Sequence, residues 1–150
     1  MSKYPISQFG YPPVLLAATP ESLSGVGVLL KPTTLATAGA QTYTAESFFT
    51  GMILRDPSGG AVSDTTPTAA AIVKMAVARG ASKYTSIKLQ IRNTADAAET
   101  ITLLAGTGVT FKASVVAVAQ NEVIDWTITI DDVDKDSEAV TMYSNGVSTA

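Results

Sequence analysis

The chain has 150 residues, of which 46% are hydrophobic, so one compact domain with a real core and a tail can form. It contains no cysteine and no histidine, which excludes disulfides, thiolate or imidazole metal sites and every catalytic triad that needs histidine. Charged residues make up only 15%, and the net charge of −3 argues against a nucleic-acid partner, whose phosphates require clustered lysine and arginine.

Residues 1–43 are predicted to form an extended arm. Positions 1–40 hold five of the seven prolines, which fix φ and lack a backbone donor, so long helices and central strands are disfavoured. Disordered tails are poor in aromatic residues, whereas three aromatic residues fall within the first eleven positions here. We interpret the segment as an arm that lies extended on another protein, with packing on its own domain as the alternative. Its predicted anchors are Tyr4, Phe9, Tyr11, Val14 and Leu15.

No apolar stretch in the sequence is long enough to span a membrane. The longest, at residues 14–18 and 26–30, fall far short of the roughly 20 residues that a spanning helix needs. Pro5, Pro12 and Pro13 interrupt the region where a secretory signal would need a continuous apolar stretch. We therefore expect the first residues to belong to the mature protein, and we expect no membrane partner.

Residues 44–150 are predicted to form a mainly β body, either a β-sandwich or a jelly-roll-like fold. Residues 48–54 form an apolar run that ends at a turn beginning with Arg55, which predicts a buried strand. Apolar and polar residues alternate over 87–91 and 124–130, as half-buried strands require. Short strands with frequent turns are typical of such folds, and further strands are predicted near 100–103, 109–111, 113–118 and 139–143.

One short α-helix is predicted at about residues 67–79. Thr66 or Asp64 can cap its start, Pro67 suits its first position, and Gly80 suits its end. Its broad apolar side must be buried, either in the core of the body or at a seam between copies of the chain. The residues predicted for this core or seam, together with one tryptophan from an alternating strand, are Ile72, Val73, Met75, Val77 and Trp126.

The acidic stretch 131–138 invites a calcium-binding interpretation. Asp132, Asp134 and Asp136 have the spacing of the first three ligands of an EF-hand loop. However, Ser137 stands where that loop needs glycine, and Tyr143 stands where it needs a bidentate glutamate. We expect a solvated hairpin turn, and a cation site of another kind remains the alternative.

The carboxylates and glycines give no specific catalytic signal. Asp56 and Asp64 flank a glycine-rich loop and could share acid–base work, but nothing in the sequence fixes their separation. The glycines at 106 and 108 lack the third glycine and the following helix of a dinucleotide loop, so a turn is expected there. We expect no enzymatic activity and no cofactor, and a carboxylate hydrolase is the last-ranked alternative.

Six short motifs follow one another from residue 55 to residue 144, at 55–57, 64–73, 91–102, 105–110, 119–121 and 137–144. In this order they resemble a family of tailed-bacteriophage virion proteins, the capsid decoration (cement) or head-fibre proteins. The joint order is more specific than any single motif. Two features depart from the family pattern: the acidic residues 131–136 replace a short neutral turn, and positions 1–40 match no part of it.

The resemblance implies a structural protein, and this agrees with a charge-poor body whose surface suits contact with a partner. A cement subunit would bind the outside of the phage head and bridge major capsid subunits, which stabilises the shell. Its partners would be the major capsid protein and, in a homotrimer, itself. It would be made in the host cytoplasm and lie on the virion surface. The alternative is a head-fibre or tail-associated module that binds a host-surface carbohydrate or receptor through exposed tryptophan or tyrosine.

Overall fold

The computed structural model describes residues 31–113 and 115–149. The predicted arm anchors Tyr4, Phe9, Tyr11, Val14 and Leu15 lie outside the described residues. Residues from Lys31 onward belong to one compact unit, so the body begins earlier than the predicted boundary between residues 43 and 44. The physical reason is that residues 33–36 pair with another strand and Tyr43 is buried in the core.

The body contains nine strands and two helices in its described residues. In chain order they are β1 (Thr33–Ala36), α1 (Ala45–Phe48), β2 (Met52–Asp56), β3 (Val62–Thr65), α2 (Ala69–Ala78), β4 (Ser86–Asn93), β5 (Ile101–Leu104), β6 (Val109–Lys112), β7 (Ala117–Val118), β8 (Glu122–Asp132) and β9 (Ala139–Thr149). The prediction of a mainly β body is confirmed.

The strands form a six-stranded and a three-stranded sheet. The larger has the order β1-β2-β4-β8-β9-β6, and the smaller has the order β3-β5-β7. Both sheets are mixed. In the larger one β1, β2 and β4 run parallel, β8 is antiparallel to β4 and β9, and β6 is parallel to β9. The parallel pairs do not confirm a jelly roll, since that fold is built from antiparallel strands.

The alternating strands place one face in the core. Leu89 of β4 pairs with Trp126 of β8, Ile91 pairs with Ile124, and all four side chains are buried. Trp126 is fully buried and packs against Phe111, with ring centroids 5.3 Å apart. The core on this side is shared with α1, α2 and the smaller sheet. The two-residue period of the sequence thus correctly predicted β4 and β8, because each strand buries only one face.

The predicted helix at 67–79 is confirmed as α2, although its start is capped differently. Thr68 Oγ1 accepts a hydrogen bond from the Ala71 amide at 3.2 Å, so Thr68 is the N-cap instead of Thr66 or Asp64. The side chains of Thr66 and Asp64 bind other groups: Thr66 Oγ1 accepts a bond from the Gly106 amide, and Asp64 forms an ion pair with Arg55. The helix ends at Ala78, and the predicted stop residue Gly80 follows the C-cap Arg79 with a φ of +86°, typical of a residue just past a helix.

Residues 48–54 do not form one strand. Thr44 caps a short helix, α1, by accepting a bond from the Ser47 amide, and Phe48 and Phe49 are buried at its end. Gly51, with φ of +79°, then turns the chain into β2, which begins only at Met52. The apolar run was therefore misread, because aromatic residues that fill a core give the same signal in a helix as in a strand.

Candidate functional site

A buried ion pair joins the two sheets. Arg55 lies on β2 in the larger sheet, and Asp64 lies on β3 in the smaller one. Arg55 Nε donates to Asp64 Oδ2 at 2.7 Å, and Arg55 Nη2 donates to Asp64 Oδ1 at 3.3 Å. Neither side chain is exposed to solvent. The paired geometry matches the fork of a guanidinium to the two oxygens of a carboxylate.

The same arginine binds the backbone of residues 35–43, which begin in the last two residues of β1 and which we call the anchored segment. Arg55 Nη1 donates to the Thr37 carbonyl at 2.7 Å, and Nη2 donates to the Gly39 carbonyl at 2.7 Å. Nη1 also faces the Leu35 carbonyl at 3.4 Å. The guanidinium donors are thereby satisfied inside the protein, which is what a buried arginine requires.

The carboxylate of Asp64 binds the far end of the anchored segment. Its Oδ1 accepts a bond from the Gln41 amide at 2.8 Å, and its Oδ2 accepts a bond from Tyr43 Oη at 2.9 Å. Burial, followed by the negative charge of Asp64, raises the pKa of Tyr43 well above its usual range. The phenol therefore remains a neutral donor. We call Arg55, Asp64, Tyr43 and their bonds to the anchored segment the buried anchor.

The buried anchor explains why the acid–base interpretation of Asp56 and Asp64 does not apply. Asp64 is neutralised by Arg55, whereas Asp56 Oδ1 accepts a bond from the Ser58 amide at 2.8 Å in the following turn. The sequence contains one indication that Arg55 forms an ion pair. Arg55 directly follows the apolar run 48–54, and a charge at the end of a buried strand needs a partner if it is buried too.

The outward side of the larger sheet, which we call the open face, carries hydroxyl, amide and charged side chains. Its outward residues on the three central strands include Ser86, Lys88, Gln90, Asp125, Thr127, Thr129, Tyr143 and Asn145. They bond across strands: Ser86 Oγ lies 3.0 Å from Thr129 Oγ1, and Lys88 Nζ lies 2.6 Å from Thr127 Oγ1. The side chains of the open face are therefore polar, and several are held in place by hydrogen bonds between strands.

The three aspartates of the acidic turn, Asp132, Asp134 and Asp136, do not converge on one cation site. Asp132 Oδ1 accepts a bond from the Asp134 amide at 3.0 Å, and its Oδ2 lies 3.6 Å from Lys83 Nζ. The amide of Asp134 is the main cause that lowers the pKa of Asp132, with Lys83 contributing. Asp136 is exposed beside Lys135. Across residues 31–113 and 115–149, no group of three or more acidic side chains could hold a metal ion.

The residues predicted for the core or seam fall into different environments. Ile72, Val73 and Trp126 lie inside the body, and Met75 is half-buried at the edge of its core. Val77 differs, since 49% of it is exposed. Its place on the outward side of α2 means that it does not contribute to the core of the body.

The motifs that carry the family resemblance coincide with contacts that hold the body together. Arg55 and Asp64 form the ion pair described above. Asn93 is fully buried, and its Nδ2 donates to the carbonyls of Glu99 at 2.8 Å and Val118 at 3.0 Å. Gly106 lies so close to the 66–67 backbone that a Cβ there would stand 2.6 Å from two carbonyl oxygens. The motifs therefore specify the framework of the fold.

Comparisons with protein-family models, with curated proteins and with solved structures find no match for this chain. Within the described part of the chain, no helix is long and apolar enough to cross a membrane.

Proposed function

We propose that the chain is a structural virion protein, a capsid cement subunit that binds the outside of a phage head and bridges major capsid subunits. The observation that carries the proposal is the buried anchor. It fastens residues 35–43 to both sheets, and in the chain these residues follow the segment whose Tyr4, Phe9 and Tyr11 are proposed to contact the shell. In this role the protein is made in the host cytoplasm and resides on the capsid surface.

The proposed mechanism is mechanical. A subunit that cements a shell must pass force from its attachment segment into a rigid body. Force on the chain before Thr33 would act first on the hydrogen bonds between β1 and β2, and then on the bonds of Arg55 and Asp64 to the anchored segment. Charge-assisted bonds shielded from water are stronger than exposed ones, so they suit this position.

The sequence resemblance supports the same proposal. Its motifs place Arg55, Asp64, Asn93 and Gly106 at framework contacts, so proteins that share the motifs would share the body on which their attachment segments are mounted. Attachment segments would then differ according to the shell that each protein binds. Positions 1–40 match no part of the family pattern, as expected of an attachment segment that differs from one protein to the next.

We further propose that the working unit is a homotrimer, with the outward side of α2 at its seam. Val77 is 49% exposed on α2, so its side chain has apolar surface that a neighbouring copy could cover. Symmetric copies would let several arms bind equivalent sites on the shell, which multiplies weak contacts into avidity.

Purified virions of the phage that encodes the chain provide the direct test. We expect mass spectrometry to find the protein in virions, and we expect capsids assembled without it to rupture at lower temperature. Adding the purified protein to such capsids should restore their stability. The proposal fails if the protein is absent from virions, or if it neither binds nor stabilises capsids that lack it.

A further inference from the structure

A groove of about 470 Å³ lies on the open face, and the function proposed above makes no use of it. The groove is lined by residues of three neighbouring strands, including the buried Leu89 and Trp126, together with the glycine that precedes β2. Its polar residues are Lys88 and Gln90 of β4, Asp125 of β8 and Asn145 of β9, and Gly51 also lines it. The groove thus collects a cation, a carboxylate and two amides on a rigid sheet.

Hydrogen bonds hold these side chains in place. Thr127 Oγ1 accepts from Lys88 Nζ at 2.6 Å and from Asn145 Nδ2 at 2.9 Å. Beside them, Gln90 Nε2 donates to Asp125 Oδ1 at 2.7 Å. Groups fixed before a ligand arrives lose less conformational entropy on binding.

Several polar atoms of the groove make no hydrogen bond to the described part of the chain. Lys88 retains two further donors, and the second oxygen of Asp125 remains an acceptor. The side-chain oxygens of Gln90 and Asn145 are also acceptors without partners there. Since Thr127 Oγ1 already accepts two bonds, its hydroxyl hydrogen is left to donate.

A β-bulge lies at the groove. The register between β8 and β9 shifts between Ile124 and Trp126, at the position of Asp125. Gly146 in β9 has a φ of +116°, next to Asn145. Bulges change the direction of side chains and are common beside binding sites. This bulge lies at Asp125 and Asn145, which supply the carboxylate and one of the two amides of the groove.

An exposed aromatic ring lies near the groove on the same face. Tyr143 pairs in register with Thr127, so its side chain stands next to Thr127 on the same face, and it is 43% exposed. A ring at this place offers an apolar surface beside the polar groups. Trp126, which the sequence predicts for the core or seam, is fully buried.

We propose that this groove binds a saccharide unit. Every sugar hydroxyl both donates and accepts, so it matches mixed donors and acceptors that lie close together. Asp125 would repel a phosphate or carboxylate ligand, and Lys88 would repel a cation. The apolar face of a sugar ring could pack on Tyr143. The proposal stands independently of the cement function, since it uses the open face and neither the arm nor the buried anchor.

The test uses the full-length protein and a printed array of bacterial-surface and host-type oligosaccharides. The highest-signal glycan is then titrated into labelled protein and followed by NMR. We expect amide shifts to concentrate at Lys88, Asp125 and Asn145. Each of the variants Asp125→Ala, Asn145→Ala and Tyr143→Ala should weaken binding by about tenfold or more, because each removes a direct contact.

Thr129→Ala is the matched control, because Thr129 lies on the same strand and face as Asp125 but does not line the groove. It should bind as the unchanged protein does, and thermal melts should verify that all four variants fold. The inference is overturned if no glycan on the array binds, if shifts map elsewhere, or if folded groove variants bind normally. Capsid co-sedimentation of the same variants is a separate readout, so failure of the groove is distinguishable from failure of the cement function.

Discussion

Arg55 Nε lies 2.7 Å from Asp64 Oδ2, with neither side chain exposed, and the two residues belong to different sheets. Between them runs the anchored segment, which leaves β1 of the larger sheet and reaches β3 of the smaller one through a bridge between Thr42 and Thr65. The ion pair thus ties the two sheets together at the place where the chain crosses from one to the other.

Removing either partner of this pair should strongly destabilise the body. Asp64→Asn leaves a buried guanidinium without its counter-ion, and we expect a loss of about 3–5 kcal/mol in the free energy of unfolding. The double variant Arg55→Met/Asp64→Asn should lose less stability than the sum of the losses caused by Arg55→Met alone and Asp64→Asn alone, since no unpaired charge remains. Urea unfolding followed through the fluorescence of Trp126, the only tryptophan, measures all three.

The exposed pair of Lys83 and Asp132 provides the control for that experiment. The Lys83 and Asp132 atoms lie 3.6 Å apart and both side chains are partly exposed, so Lys83→Met should lower the free energy of unfolding far less than Asp64→Asn does. Equal effects of Lys83→Met and Asp64→Asn would show that the buried anchor has no special role in stability.

The body should lose stability in alkali because of Tyr43. Burial and the charge of Asp64 raise the pKa of this phenol in the folded state, whereas in the unfolded chain it titrates near 10. The stability from a neutral Tyr43 is therefore complete below about pH 10 and is lost as the pH rises above that value, because only the unfolded state then releases the proton. Urea unfolding between pH 8 and 11 measures the slope.

Two phenylalanine variants separate this effect from other alkaline titrations. Tyr43→Phe should be less stable at pH 8, because Asp64 loses a hydrogen bond, and it should show a shallower decline above pH 10. Tyr84→Phe should keep the slope of the unchanged protein, since Tyr84 is 74% exposed. The interpretation is wrong if both variants decline with the same slope as the unchanged protein.

The proposed trimer should depend on the outward side of α2. Sedimentation velocity should show a species of about three times the 15.5 kDa mass of one chain. Val77→Glu places a charge at an apolar contact and should convert this species to monomer without unfolding it, because Val77 is exposed within one chain. Thr129→Glu, on the open face, serves as the control and should remain trimeric. A Val77→Glu protein that is still trimeric would exclude this seam.

The sequence correctly predicted those helices and strands that are marked by a pattern in neighbouring residues. The alternation over 87–91 and 124–130 identified β4 and β8, because a half-buried strand must repeat every two residues. Pro67 and Gly80 located α2 to within two residues, because each suits one end of a helix. Residues 144–149 of β9 were missed, since all but Val147 are polar or glycine and their strand geometry comes from pairing with β8.

The candidate site depended on tertiary relationships that the sequence does not display. The partner of Arg55 comes from another sheet, so Asp64 could not be distinguished from Asp56 by position along the chain. Residues 33–43 looked like part of the arm, because β1 is a four-residue edge strand in a proline-rich region. The groove was missed as well, since its residues come from three strands joined only by register.

Binding to expanded capsids by the full chain and by a chain lacking residues 2–16 tests the central claim most directly. Co-sedimentation at increasing protein concentration gives both affinities, and urea unfolding verifies that the body of the shortened chain is intact. We predict that removal of Tyr4, Phe9, Tyr11, Val14 and Leu15 weakens binding by about tenfold or more, with the unfolding midpoint unchanged. Equal affinities of the two chains for the capsid would contradict the account.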